Sequence, residues 1–224
     1  EAMNSSKKSI LNSNFTYLAA FVLPVIMMMA LYYTRGIFPW GNECYLRSDM
    51  YHQYAPFFSE LWHKIRNGES LTYSWNIGMG TNFTSLFAYY LASPSNWFVA
   101  LFPQKYTIEI MNAFIILKIA GSSLSLTYYL TKHNNNKHVI AAIFGMFYGM
   151  SGFIAAYSWN IMWLDCVILI PLIMLGLERL VNENRCIFYC ITLGLCIFTN
   201  YYIAIMVCLS VVIYYVVLMI AYNG

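Results

Sequence analysis

The chain of 224 residues is 60% hydrophobic and only 9% charged, where an ordinary soluble domain carries about 25% charged residues. A water-soluble fold of this size cannot hide so much apolar surface, so the bilayer is the solvent to reason about. The net charge of +3, from 12 basic and 9 acidic residues, is placed mainly at the ends of apolar runs and forms no basic stripe, which argues against a nucleic-acid partner.

Glu1 and Ala2 precede Met3 and read as an expression scar ahead of a native start. Residues 1–14 are expected to form a cytoplasmic N-terminus and residues 15–224 a single transmembrane domain. The first apolar run, Phe15 to about Thr34, is too long for a signal peptide and lacks a small-residue cleavage site, so it reads as an uncleaved span. Pro24 is tolerable there because neighbouring groups in a membrane bundle can re-satisfy the freed carbonyl.

Polarity then changes. Residues 35–107 form the expected extracytoplasmic and interfacial loop region, and its first part holds eight of the twenty-one charges, from Arg35 to Glu69. Within it, Met50, Tyr51, Tyr54, Phe57, Phe58, Leu61, Trp62 and Ile65 recur at three- and four-residue steps, while His52, Gln53, Glu60, Lys64 and Arg66 fill the other side. This pattern predicts an amphipathic helix lying in the membrane interface, with Pro56 in its first turn or at a kink and Asn67-Gly68 as its stop. Phe83 to Phe102 is broken by Ser93-Pro94-Ser95-Asn96, which predicts a pair of interfacial or re-entrant helices.

Further spans are expected at about Ile108–Leu130, Val139–Tyr157 and Met162–Leu180. The apolar stretch after Arg185 runs for about 36 residues, about 54 Å as one helix, and so must fold back on itself, most simply at Thr199-Asn200-Tyr201-Tyr202. The expected fold class is therefore all-α: a polytopic helical membrane protein of about six transmembrane helices, with amphipathic interfacial helices in the first outer loop. With six spans, Lys7, Lys8, Lys132, Lys137, Arg179 and Arg185 all fall on one face, which the positive-inside rule makes cytoplasmic. The N-terminus is then cytoplasmic in a plasma-membrane protein, and the charged loop, Trp159–Asp165 and the Asn200 turn are outside. The six cysteines suggest no disulfide framework: Cys186, Cys190, Cys196 and Cys208 lie in or beside apolar runs.

The only aspartates, Asp49 and Asp165, both fall on the outer face. A carboxylate at a membrane boundary is costly unless paired, hydrated or used, which makes both of them candidates for function. Asp49 reads equally as a helix N-terminal residue favoured by the macrodipole, and Asp165 as an interfacial carboxylate paired with a nearby cation. His52, three residues from Asp49, can share a proton or a metal with it on a helix, or can be a solvated surface histidine. Gly78-Met79-Gly80 before a helical run is a turn that can also offer N–H groups to a phosphate.

Ser48-Asp49 with Gln53-Tyr54 and Pro56-Phe57, then Trp75 with Gly78 and Gly80, then Trp163-Leu164-Asp165, Pro171-Leu172, Gly176-Leu177-Glu178-Arg179 and Asn200-Tyr201-Tyr202 follow one another in a distinctive order. In that order the chain, from about Arg35 to Tyr222, resembles the N-terminal portion of the bacterial YfhO family. The resemblance implies a GT-C-like fold and an enzyme that moves a sugar from a polyprenyl-phosphate donor to an envelope polymer such as lipoteichoic acid. It places Asp49 and Asp165 at the acidic positions of the catalytic site. Arg47, His52, Gln53, Tyr54, Lys64, Trp75 and Asn200 become candidate substrate-binding residues, with Arg47, His52 and Lys64 as cations for the departing phosphate. A divalent metal ion held by Asp49, Asp165 and His52 is the alternative source of positive charge. Membrane lipid, the lipid-linked sugar and the acceptor polymer are the implied partners. Family members are longer, with more spans and an outer C-terminal region. Two other readings carry weight: a non-catalytic scaffold whose outer loop docks a partner, and a transporter of lipid-linked substrates. A transporter requires polar residues through the spans, and Lys118 is the one full charge deep within a predicted span.

Overall fold

The computed structural model describes residues 2–135 and 139–223, with side chains for residues 14–135 and 139–221. Lys137 and the side chains of Lys7 and Lys8, used above for orientation, lie outside the described residues. Among the described residues, five helical stretches are long and apolar enough to cross a bilayer. They are Asn14–Thr34 within helix α1 (Ala2–Thr34), Gln104–His133 around α4 (Thr107–His133), Val139–Tyr157, α7 (Ile161–Glu183), and Tyr201–Ala221 within α9 (Tyr201–Asn223). The third of these is interrupted: α5 (Val139–Gly149) and α6 (Gly152–Tyr157) meet at Met150-Ser151. The chain is thus an all-α polytopic membrane protein.

The expected sixth crossing takes a different form. Helix α8 (Ile187–Thr199) has 13 residues, about 20 Å of rise against a hydrocarbon core of roughly 30 Å. It still carries the chain back toward the loop region, because Asn200 at its end donates from Nδ2 to the Tyr89 carbonyl at 3.2 Å. Close approach makes this return compact: Gly176 of α7 lies against the backbone of Tyr189, leaving no space for a side chain. The alternation of chain ends read from the sequence is therefore kept, although α8 by itself is too short to span.

Helix α4 is the centre of the bundle, packed against α1, α5 and α7. Several of its polar residues bond back to their own helix: Ser122 donates to the Lys118 carbonyl, Ser125 to Ser122 and Thr127 to Ser123. Lys118 instead reaches across to α7, where its ammonium meets Asp165 Oδ2 at 2.6 Å and the Ile161 carbonyl at 3.3 Å. Both side chains are largely buried, 5% and 14% exposed.

The loop region caps one end of this bundle. A π-helical turn (Met50–Tyr54) leads into α2 (Ala55–Asn67), which has Pro56 in its first turn and stops at Gly68 in the left-handed conformation. A short hairpin follows, β1 (Tyr73–Ser74) with β2 (Thr81–Asn82), then α3 (Phe83–Leu86), a second π-helical turn (Phe87–Leu91) and 3-10 helices Pro94–Leu101 and Gln104–Tyr106. The pair of short helices expected over Phe83–Phe102 is present, split before Pro94. The interfacial amphipathic helix is not as expected. Met50, Tyr54, Phe58 and Leu61 are fully buried in one cluster with Met111, Phe114 and Ile115 of α4, so its apolar face packs on protein instead of on lipid. The reason is that the first turns of α4 present an apolar face at this end, and only the loop can cover it. Glu60 and Lys64, assigned above to the polar side, are buried with it, 6% and 2% exposed.

Removing one partner of the α4–α7 ion pair leaves the other charge stranded in the bundle, a cost of about 3–5 kcal/mol. Lys118→Met and Asp165→Asn are each expected to lower the unfolding temperature of the detergent-solubilised chain sharply. The double replacement Lys118→Met with Asp165→Leu is expected to recover most of the loss, and equal instability of the double variant contradicts this account.

Candidate functional site

The segment before α7, the start of α9 and the loop region are tied together by tyrosines. Tyr45 and Ser158 share a hydroxyl–hydroxyl bond of 2.7 Å, and the Tyr54 hydroxyl donates to Asn160 Oδ1 at 3.0 Å. These bonds attach the loop to the segment that opens α7. Tyr90 packs edge-on to Tyr54 and against Phe57 and Tyr89, and Tyr89 reaches Tyr201 at the start of α9. Trp163 stacks on Tyr202 at 6.2 Å. Both π-helical turns supply rings to this cluster, consistent with the frequent use of such turns at sites that must re-aim side chains.

Asp49 sits at the rim. The preceding Ser48 has φ of 48°, a left-handed conformation that is strained for a residue with a side chain and that turns the chain into the Met50–Tyr54 turn. Asp49 occupies the N-cap position of that turn without a side-chain capping hydrogen bond, so the helix N-terminal reading and a functional one both stand on its position. Its half-buried carboxylate has no hydrogen-bond or ion-pair partner among the described residues. It lies close enough to the Tyr54 and Tyr90 hydroxyls to oppose their ionisation, after burial and the neighbouring rings, and both are pushed above the usual tyrosine range. Arg47 is exposed, with its guanidinium 5.6 Å from the Tyr45 ring.

The other expected site residues divide. Asp165 lies in the first turns of α7 and is held by Lys118, so its charge is already matched. Tyr54 and Asn200 are buried and act on the protein: Asn200 bonds Tyr89 and accepts the Ile203 N–H at 2.9 Å, capping α9. Gln53 is half-buried, and His52 is exposed, edge-on to Tyr51. Trp75 is 77% exposed on the hairpin, against Tyr73. The hairpin turn holds Gly78, Met79 and Gly80 all at positive φ.

Lys64 cannot serve a departing phosphate. Its ammonium donates to the carbonyls of Ser70 and Tyr73 at 3.0 and 2.8 Å and lies 3.7 Å from both Glu60 and Glu69. It pins the turn after α2. The metal set proposed above does not fit either: no contact joins Asp49, His52 and Asp165, and Asp165 is engaged by an ammonium. The His/acid group that does converge is Glu60, His63 and Glu69, where Lys64 already supplies the positive charge. Burial disfavours the Glu60 carboxylate, but hydrogen bonds from Ser74 and Asn76 and the Lys64 charge prevail and hold it below its ordinary pKa of 4.5.

A second polar centre, at the opposite end, was missed from sequence. Glu178 accepts from the hydroxyls of Tyr129 and Tyr214, and His133 Nδ1 lies 2.9 Å away. Also missed were Asn160, Tyr89 and Tyr90. The Lys118–Asp165 pairing had a signal: Lys118 is the one full charge deep within a predicted span, and such a charge must find a partner.

This architecture, an α-helical bundle capped at one end by a tyrosine-linked loop domain, defines a polytopic membrane protein with a candidate site at the capped end. Residues 19–223 match the family described as bacterial membrane protein YfhO, and the chain belongs to that family. No curated protein and no solved structure matches it.

The depressed Glu60 pKa fixes the sign of an acid response: its stabilisation is complete above about pH 4.5 and is lost as pH falls through the lower folded value. Proteolytic nicking between Gly68 and Asn82 is expected to rise on acidification. In Glu60→Gln it is expected to be high already at neutral pH and nearly independent of pH, and a wild-type-like profile in that variant refutes the assignment.

Proposed function

We propose that this chain carries the membrane and outer-loop site of a glycosyltransferase that moves a sugar from a polyprenyl-phosphate donor to an envelope polymer. The loop end is assigned to the extracytoplasmic face, with the N-terminus inside. Lys132, Arg179 and Arg185 at the other end support that orientation. The observation that carries the reading is Asp49: an unpartnered, half-buried carboxylate, set by a strained Ser48 at the edge of a tyrosine cluster.

In the reaction, the acceptor hydroxyl attacks the anomeric carbon, its proton passes to Asp49, and the bond from that carbon to phosphate breaks with the electron pair leaving on polyprenyl phosphate. A base placed this way contributes roughly 10²–10⁴-fold. Arg47 and His52, exposed and two and three residues from Asp49, are the cations available to the phosphate. Asp165 acts at a distance in this scheme, holding the start of α7, and with it Asn160, against α4. A prenyl chain has a seat in the apolar groove of about 380 Å³ between α5–α6, α7 and α9, walled by Tyr148, Phe153, Ile170, Met174 and Met206.

The test is sugar transfer in membranes by the full-length protein with a polyprenyl-phosphate sugar, scored as label on envelope polymer. Asp49→Asn is expected to lower transfer by at least about 100-fold at unchanged expression. Transfer at the wild-type rate means that Asp49 is not the base and favours the scaffold reading, in which the loop docks a partner and tolerates the loss of one carboxylate.

A further inference from the structure

Between the end of α1 and the start of α4 lies a cavity of about 330 Å³ that shares no lining residue with the α5–α6, α7 and α9 groove. Met29, Phe38, Ile116 and Leu117 give it apolar walls, and Phe38 and Leu117 are exposed, so it opens toward lipid. Three polar atoms on this cavity have no partner among the described residues: Tyr32 Oη, Asn112 Oδ1 and Glu109 Oε2. Tyr32 and Asn112 are 2% and 6% exposed. Orphan polar groups at membrane depth are strongly disfavoured, and Ser122, Ser125, Thr127 and Thr131 of α4 are satisfied by carbonyls of their own helix. Three orphans around one cavity therefore indicate a ligand.

We propose that this groove binds a membrane lipid through an uncharged, polyhydroxylated head group, the chemistry of a neutral glycolipid. The three atoms select it. A phosphate is repelled by Glu109, and no cation lines the cavity. An ammonium serves Glu109 but leaves the Tyr32 hydroxyl proton without an acceptor. Neighbouring hydroxyls donate to the Glu109 carboxylate and accept from Tyr32, and they satisfy the Asn112 amide whichever way it is turned. The depth also matches. Tyr32 is in the last turn of α1, and Glu109 and Asn112 are in the first two turns of α4, where head groups lie. Met29 and Ile116, one turn deeper on each helix, offer the surface for an acyl chain. The inference does not rest on the transfer chemistry proposed for Asp49.

The experiment is native mass spectrometry of the purified full chain in detergent with equimolar diglucosyl diacylglycerol, phosphatidylglycerol and phosphatidylethanolamine, paired with thermal unfolding in each lipid. The glycolipid adduct is expected to dominate and to raise the unfolding temperature. Tyr32→Phe and Glu109→Gln are each expected to weaken that adduct about tenfold, whereas Asp49→Asn leaves it unchanged. If Tyr32→Phe does not fold, Glu109→Gln decides, because Glu109 Oε2 has no hydrogen-bond partner among the described residues. Equal or stronger binding of either phospholipid, an adduct indifferent to Glu109→Gln, or an adduct lost in Asp49→Asn overturns the proposal.

Discussion

The ion pair between Lys118 and Asp165 is the constraint around which the bundle is arranged. Lys118 lies deep in the apolar body of α4 and Asp165 in the first turns of α7, and a charge at that depth is costly unless it is paired. Their contact fixes the rotation of α7 against α4. It also sets the height at which α7 begins, because the same ammonium holds the Ile161 carbonyl in the first turn. Asn160 and Ser158 precede that turn and receive the loop's tyrosines, so the position of the loop cap depends on a bond made deeper in the bundle.

The cap itself is held by two kinds of force. Burial of Met50, Tyr54, Phe58 and Leu61 on α4 supplies most of the free energy, on the order of 1.5–3 kcal/mol for each large side chain, while the hydroxyls of Tyr45 and Tyr54 supply direction. Lys64 and Glu60 then fold the turn after α2 inward, where a surface helix would have sent them into solvent. Asp49 is left unpaired at the rim of the cap. A half-buried carboxylate free at a rim is arranged for an external partner, and Arg47 and His52 beside it suit an anionic one.

Much of this was legible in the residues. The spans, the Gly68 stop, the break before Pro94 and the turn at Asn200 followed from runs of apolar residues and from glycine, proline and asparagine chemistry, which act locally. The motifs that placed the chain near the YfhO family also included residues that hold the fold together, Tyr54 through Asn160, Asp165 through Lys118 and Asn200 through Tyr89. Their roles were less legible. Tyr54, Lys64 and Asn200 look like ligand-binding residues in a list of polar side chains, yet their partners are Asn160, the Ser70 and Tyr73 carbonyls, and Tyr89, between 6 and 111 residues distant in sequence. Periodicity reports which side of a helix is apolar; it does not report whether lipid or protein covers that side.

Sequence alone determined the solvent, the approximate number of passes and the scarcity of charge, because hydrocarbon thickness and the cost of charge in it act on each segment separately. Tertiary structure decided which charges are paired, which carboxylate stays free, that α8 returns without the length of a full span, and that the amphipathic loop helix covers α4. Those outcomes depend on contacts between distant segments, where burial, packing and charge pairing are settled together.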